Sequence, residues 1–190
     1  LSPAQDRAHV MAVMRDITAL KAHEAQLEHI AHYDALTGLP NRRLLADRLG
    51  QVMVQAPRRG QLVGIGYLDL DGFKAVNDTH GHEVGDQLLR AVASNMEQVL
   101  RVGDTLSRLG GDEFVVVLAD LANTAVSIPI LNRLLKAVTQ PITVGNAVLQ
   151  VTASLGVSFY PQREDVDADQ LLRQADQAMY QAKQTGKNRY

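Results

Sequence analysis

Cysteine is absent from the 190 residues, so no disulfide and no thiolate metal site can form. That absence fits a reducing compartment, and the domain is expected to be cytoplasmic. Charge of one sign is not in excess either: 19 Lys and Arg stand against 21 Asp and Glu, a net of −2. No basic surplus is available to neutralise a phosphate backbone, which argues against non-specific nucleic-acid binding. Long apolar runs are missing as well. Stretches such as Phe114–Ala119 fall far short of the roughly 20 residues a membrane helix needs. Residues 1–30 are too polar and charged for a signal peptide. The chain opens on Leu1 and stops after "GKNRY", which points to a piece of a longer protein, one that can itself be membrane-attached.

What is present is enough apolar material for a core. Hydrophobic residues make up 46%, which excludes a disordered chain, and the length suits one domain or one domain with an appendage. Residues 17–32 have helical spacing. Ile17, Leu20, Glu24, Leu27 and Ala31 step by three and four, a coiled-coil rhythm that Glu24 interrupts. The plain alternative is an exposed connecting helix. After the turn "DALTGLPNR" a helix carries Leu44, Leu45, Leu49, Val52 and Met53 on one side. "QLVGIGYLDLDGF" reads as a buried strand ending in acids. A short helix "FKAVND", a turn "THGHEVGD" and a longer helix from Asp86 to Val99 follow.

Next, "DTLSRL", the Gly110-Gly111 turn and "EFVVVL" read as a hairpin. A helix is predicted near 124–139. "ITVGNAVLQVTASLGVSFY" reads as a second hairpin with Gly145-Asn146 at its tip. The last helix places Leu171, Leu172, Ala175, Ala178, Met179 and Ala182 at helical spacing, with Gly186 as its C-cap. Two hairpins without strict strand–helix alternation predict an α+β fold, an antiparallel or mixed sheet flanked by helices.

The chemistry concentrates at strand ends. Tyr67, Asp69 and Asp71 share one face of their strand, and Leu68 and Leu70 the other. A carboxylate such as Asp69 at the end of a buried strand is costly without a partner. If the strand after Gly111 is its neighbour, Asp69, Asp112 and Glu113 converge, and such a set favours a divalent cation such as Mg²⁺. The alternative is a solvated acidic turn. Asn77 and Asp86 flank a compact turn and can match a guanine edge; as caps, Asn77 would end one helix and Asp86 start the next. Lys183 and Lys187, four apart on the last helix, can meet phosphates or simply form a solvated basic helix end.

Five stretches in order resemble the GGDEF domains, the diguanylate cyclases that condense two GTP into cyclic di-GMP. They are "DALTGLPNR", "DLDGFKAVNDTHGHEVGDQLL", "RLGGDEF", "VTASLGVSFYP" and "ADQAMYQAKQTGKNRY", covering about Asp34 to Arg189. The resemblance implies a palm-like sheet similar to nucleotidyl cyclase catalytic domains. It implies Mg²⁺, or Mn²⁺, held by Asp69, the Leu70 carbonyl, Asp112 and Glu113, with Asp112 also activating the attacking 3′-hydroxyl. Asn77 and Asp86 become guanine readers. Lys74, Lys183 and Lys187 become phosphate contacts. Gly72, Phe73 and the Gly110-Gly111 turn lie against the phosphates.

In the family each domain holds one GTP, so the resemblance implies a homodimer for catalysis. "RVGD" resembles an inhibitory product site, with Arg101 and Asp104 contacting cyclic di-GMP and Arg133 as a second arginine once one inserted residue near Asn123 is allowed for. The plain alternative is a turn closing a helix, with Asp104 satisfying backbone amides. "RDITALK" resembles the end of a PAS sensor domain. The expected organisation is therefore a sensor tail over 1–16, a helical signalling linker over 17–33 and a catalytic domain over 34–190. A regulatory domain that binds GTP or cyclic di-GMP without catalysis is the other function this sequence allows.

Overall fold

The computed structural model describes residues 29–190 together with 21, 26 and 27. The expected sensor tail over 1–16 and most of the linker over 17–33 lie outside the described residues.

The chain is organised around strand β1 (Leu62–Asp71), which is buried along nearly its whole length. On one side it pairs with β3 (Glu113–Leu121), which pairs in turn with β2 (Thr105–Gly110). On its other side lies β6 (Thr152–Tyr160), giving the order β2-β3-β1-β6. Every pairing in this sheet is antiparallel, which resolves the expectation of an antiparallel or mixed sheet. Strands buried on both faces need helices on both faces.

Leu68 and Leu70 point into a core with Leu88, Leu89, Val92 and Met96 of helix α3 (His82–Glu97) and Ile130, Leu131 and Leu134 of helix α4 (Ser127–Val138). Val63, Ile65 and Tyr67 point the opposite way, into a second core with Leu45 and Leu49 of helix α1 (Arg42–Arg59) and Leu171, Ala175 and Met179 of helix α5 (Ala168–Gln184). Local signals set the helix limits. Asn41 caps α1 by accepting from the amides of Arg43 and Leu44. Asp167 and Gln170 form a capping box at the start of α5.

Several boundaries differ from the sequence reading. The short helix α2 runs from Phe73 to His80, and α3 already begins at His82. Gly81, at φ 85°, turns the chain in one residue, so no longer turn is needed and Asp86 is inside α3 rather than its N-cap. The second hairpin is confined to β4 (Ile142–Val144) and β5 (Ala147–Leu149); β6 leaves it for the main sheet. Helix α5 ends at Gln184 with Thr185 as C-cap, one residue before Gly186. Lys187 therefore lies beyond the helix at φ 60° and does not share a helical face with Lys183.

Gly156 sets how closely α5 approaches the sheet. A Cβ there would run into the backbone of Ala175 and Met179. Backbone cannot rotate away as a side chain can, so Gly156→Ala should push α5 off β6. We expect a loss of about 3 kcal/mol, at the upper end for overpacking, measured by urea unfolding.

Candidate active site

The register brings the sequence-predicted acids to one end of the sheet. Asp69 stands directly opposite Glu113 on β3 and opposite Ser154 on β6. The turn between β2 and β3 folds onto β1 through a hydrogen bond from the Leu70 amide to the Asp112 carbonyl, at 3.2 Å. Asp69 is only 14% exposed, and one oxygen is bound by the Lys183 ammonium at 2.8 Å. Burial pushes the Asp69 pKa up; the Lys183 ion pair opposes this, and the charges of Asp112 and Asp71 add to the rise. Tyr67, on the same face, has its hydroxyl pKa raised by burial and by Glu113.

The glycine turn has no side chains of its own to hold it. Gly111 takes φ 53° and Gly110 φ 142°, both in the range that favours glycine. The turn is held from behind by Arg108, which is 9% exposed. Its Nε and Nη2 donate to the Gly111 carbonyl at 3.1 and 2.7 Å, and Nη1 donates to both oxygens of Asp34 at 2.8 and 3.0 Å. Burial alone would raise the Asp34 pKa. Hydrogen bonds from Thr37 and Arg108, and the arginine's charge, outweigh it and leave the carboxyl below its ordinary value. Both residues lie within quoted motifs, yet their pairing joins positions far apart in the chain.

On the other side of the β1 end, Gly72 starts α2 at φ 81°, Phe73 is buried beneath it and Lys74 is exposed. The Asn77 Oδ1 is buried and has no hydrogen-bond partner among the described residues. It sits where a Cβ on Gly85 would fall, one residue before Asp86, so the two predicted base readers are brought together.

Residues 31–189 match the family described as "Diguanylate cyclase, GGDEF domain". The chain belongs to the GGDEF family. It is 40% identical over 173 residues to the bifunctional diguanylate cyclase/cyclic di-GMP phosphodiesterase MucR of Pseudomonas aeruginosa, covering 91% of this chain and 25% of MucR. It is 40% identical over 164 residues to the cyclic di-GMP phosphodiesterase NbdA of the same organism, covering 86% of this chain and 21% of NbdA. This chain thus spans a quarter or less of both relatives. The coiled coil and GGDEF domain of DgcB from Caulobacter crescentus, solved in complex with c-di-GMP, superposes with a TM-score of 0.80 at 29% identity, covering 91% of each chain.

The GGDEF acids do not form a closed metal cage. Among the described residues no three His, Asp or Glu side chains are grouped to hold a metal by themselves. Two buried-edge carboxylates and a third at the turn, in a field that burial and mutual repulsion make unfavourable to Asp69, do fit a partial shell. Mg²⁺ takes its remaining ligands from phosphates and water.

At the turn after α3, the Asp104 carboxylate accepts from the amides of Arg101 at 3.1 Å and Ala119 at 3.3 Å, and its side chain is 2% exposed. It therefore serves the backbone, as the plain alternative describes. Arg101 is 54% exposed, with its Nε 3.9 Å from Asp104. Both line one cavity of about 310 Å³; Arg133 lines a different one with Asn95, Gln98 and Lys136.

The buried pair gives a test of the support behind the turn. Asp34→Ala leaves Arg108 uncompensated and should cost about 3 kcal/mol at pH 7. Because the Asp34 pKa is lowered by folding, its contribution is present above the unfolded carboxylate value of about 3.9 and is lost as pH falls through the folded value. Urea unfolding of parent and variant should therefore differ at pH 7, and the difference should shrink progressively as pH falls below about 3.9.

Proposed function

We infer that this domain condenses two GTP molecules into cyclic di-GMP and pyrophosphate. The observation that carries this reading is the placement of Asp69 opposite Glu113, with the Asp112 turn hydrogen-bonded to the next residue of β1. Mg²⁺ or Mn²⁺ would be held by Asp69, Asp112, Glu113 and the Leu70 carbonyl, and would supply charge neutralisation on phosphate and a lowered pKa for the attacking hydroxyl. The side chains do the rest. Asp112 accepts the 3′-hydroxyl proton. Lys74, Lys183 and Lys187 bind phosphate, with the first amides of α2 at Gly72 and Phe73 beside them. The bare Gly110-Gly111 turn lets a triphosphate approach the backbone.

Base selection falls to Asn77 and Asp86. Asn77 would offer its amide to a guanine ring nitrogen or O6. Asp86 accepts from guanine N1–H and the 2-amino group, which adenine cannot offer. Each domain holds one GTP, so two copies face each other and their relative placement sets the rate. Residues 1–16 as a PAS end and 17–33 as the pairing helix complete this reading, and the domain works in the cytoplasm. Product feedback would rest on Arg101, because Asp104 is occupied by backbone amides and Arg133 stands in a separate cavity.

A regulatory domain that binds GTP or cyclic di-GMP is the second reading. The equal identity to NbdA, named as a phosphodiesterase, favours it. Incubation with GTP and Mg²⁺ followed by separation of products decides between the two.

Asp112→Ala should lower cyclic di-GMP formation about 10²–10⁴-fold while leaving the unfolding midpoint unchanged. Parent-like turnover in that variant would sink the assignment. GTP should be preferred over ATP on the order of 10⁴-fold in kcat/KM, since an unmatched base leaves buried polar groups unpaired. Asp86→Asn should narrow that gap, as read by competition between the two nucleotides.

A further inference from the structure

Asp71 ends β1 two residues beyond Asp69, on the same face. By position it reads as another metal ligand, but its contacts are of a different kind. One oxygen accepts from the Ser154 hydroxyl at 2.9 Å. The other accepts from the Thr152 hydroxyl at 2.7 Å and from the Asn188 backbone amide at 3.3 Å. Thr152 lies directly opposite Asp71 in the β1–β6 register and Ser154 opposite Asp69, so two donors come from the neighbouring strand. The third comes from the far end of the chain.

That end is held at three points. The Lys187 amide donates to the Ala182 carbonyl at 3.1 Å, which closes the end of α5. The Asn188 amide reaches Asp71. The Arg189 carbonyl accepts from the Leu155 amide at 2.9 Å, on the free edge of β6. Between these points Lys187 and Asn188 take φ 60° and φ 49°, a left-handed pair that non-glycine residues adopt only where surroundings hold them. Lys187 itself is exposed, its backbone fixed on both sides.

We propose that Asp71 is a positioning residue: it latches the Gly186–Arg189 turn to the sheet and so fixes Lys187 on the side where Asp69 stands. The proposal rests on the reading of Lys187 as a phosphate contact. Asp71→Asn tests it, because the amide keeps the shape of the side chain but removes the charge that strengthens its bonds to both hydroxyls and the Asn188 amide. Hydrogen exchange at the Leu155 and Asn188 amides should speed up about tenfold, the order expected when a charge-assisted hydrogen bond is lost. Affinity for inorganic triphosphate, measured calorimetrically without metal, should fall about tenfold, and the KM for GTP should rise with little change in kcat. The metal concentration giving half-maximal activity should stay where it is.

Asn188→Pro breaks the latch from the other side, since proline lacks the amide and cannot take φ 49°. It should reproduce the triphosphate effect and the faster exchange at the Leu155 amide with β1 untouched, which keeps the test open if Asp71→Asn fails to fold. Unaltered exchange in these variants, or a shifted metal requirement in Asp71→Asn with unaltered exchange, would overturn the latch and make Asp71 a ligand or a bystander. Faster exchange with parent-like triphosphate affinity in both Asp71→Asn and Lys187→Ala would instead overturn the phosphate reading of Lys187, and the proposal with it.

Discussion

The guanidinium of Arg108 is the contact on which the site geometry depends. A planar fork with fixed donors can satisfy a carboxylate and a carbonyl at the same time, and here it binds Asp34 on one side and Gly111 on the other. The turn it supports consists of residues chosen for having no side chain, so it has little means of holding itself. The segment that supplies Asp34 is fixed in its turn. Thr37 donates to Asp34 through both its amide and its hydroxyl, and the Arg108 amide donates to the Pro40 carbonyl. The position of Asp112 and Glu113 is thus borrowed from residues more than seventy positions earlier.

The same economy holds for charge. Asp69 lies in a place where burial and two like charges work against it, and Lys183 is the only cation bonded to it among the described residues. Such an arrangement is poor as pure architecture. It is sensible for a group whose proper partner arrives with substrate. Asp71 and Asp34 show the contrast: each is an acid near the site, yet each is matched by donors from its own protein.

Much of this was legible in the sequence. An apolar run after paired glycines marked the β2–β3 hairpin, and the "GYLDLDG" and "GGDEF" stretches placed acids at two strand ends that the register then set face to face. What could not be read were contacts between distant residues. Nothing local to Arg108 names Asp34, and nothing in "DLDG" distinguishes Asp71, held by hydroxyls, from Asp69, held by a lysine. Boundaries failed where one glycine replaced an expected turn, as at Gly81, and where the last helix ended at Gln184, early enough to leave Lys187 outside it. The Asp104 carboxylate carried two meanings in sequence, and its backbone partners are visible only once Ala119 is brought beside it.

Gly156 acts as a depth gauge for the lysine. It lies opposite Tyr67, two residues along β6 from the Ser154 that faces Asp69, and the backbone of Ala175 and Met179 rests against it. Lys183 follows Met179 by one helical turn, about 5.4 Å along the axis. The seating of the helix at Gly156 therefore dictates how far the ammonium extends over the strand end. A single hydrogen atom in place of a methyl group, on a strand that contributes no charge, calibrates the 2.8 Å separation of Lys183 and Asp69.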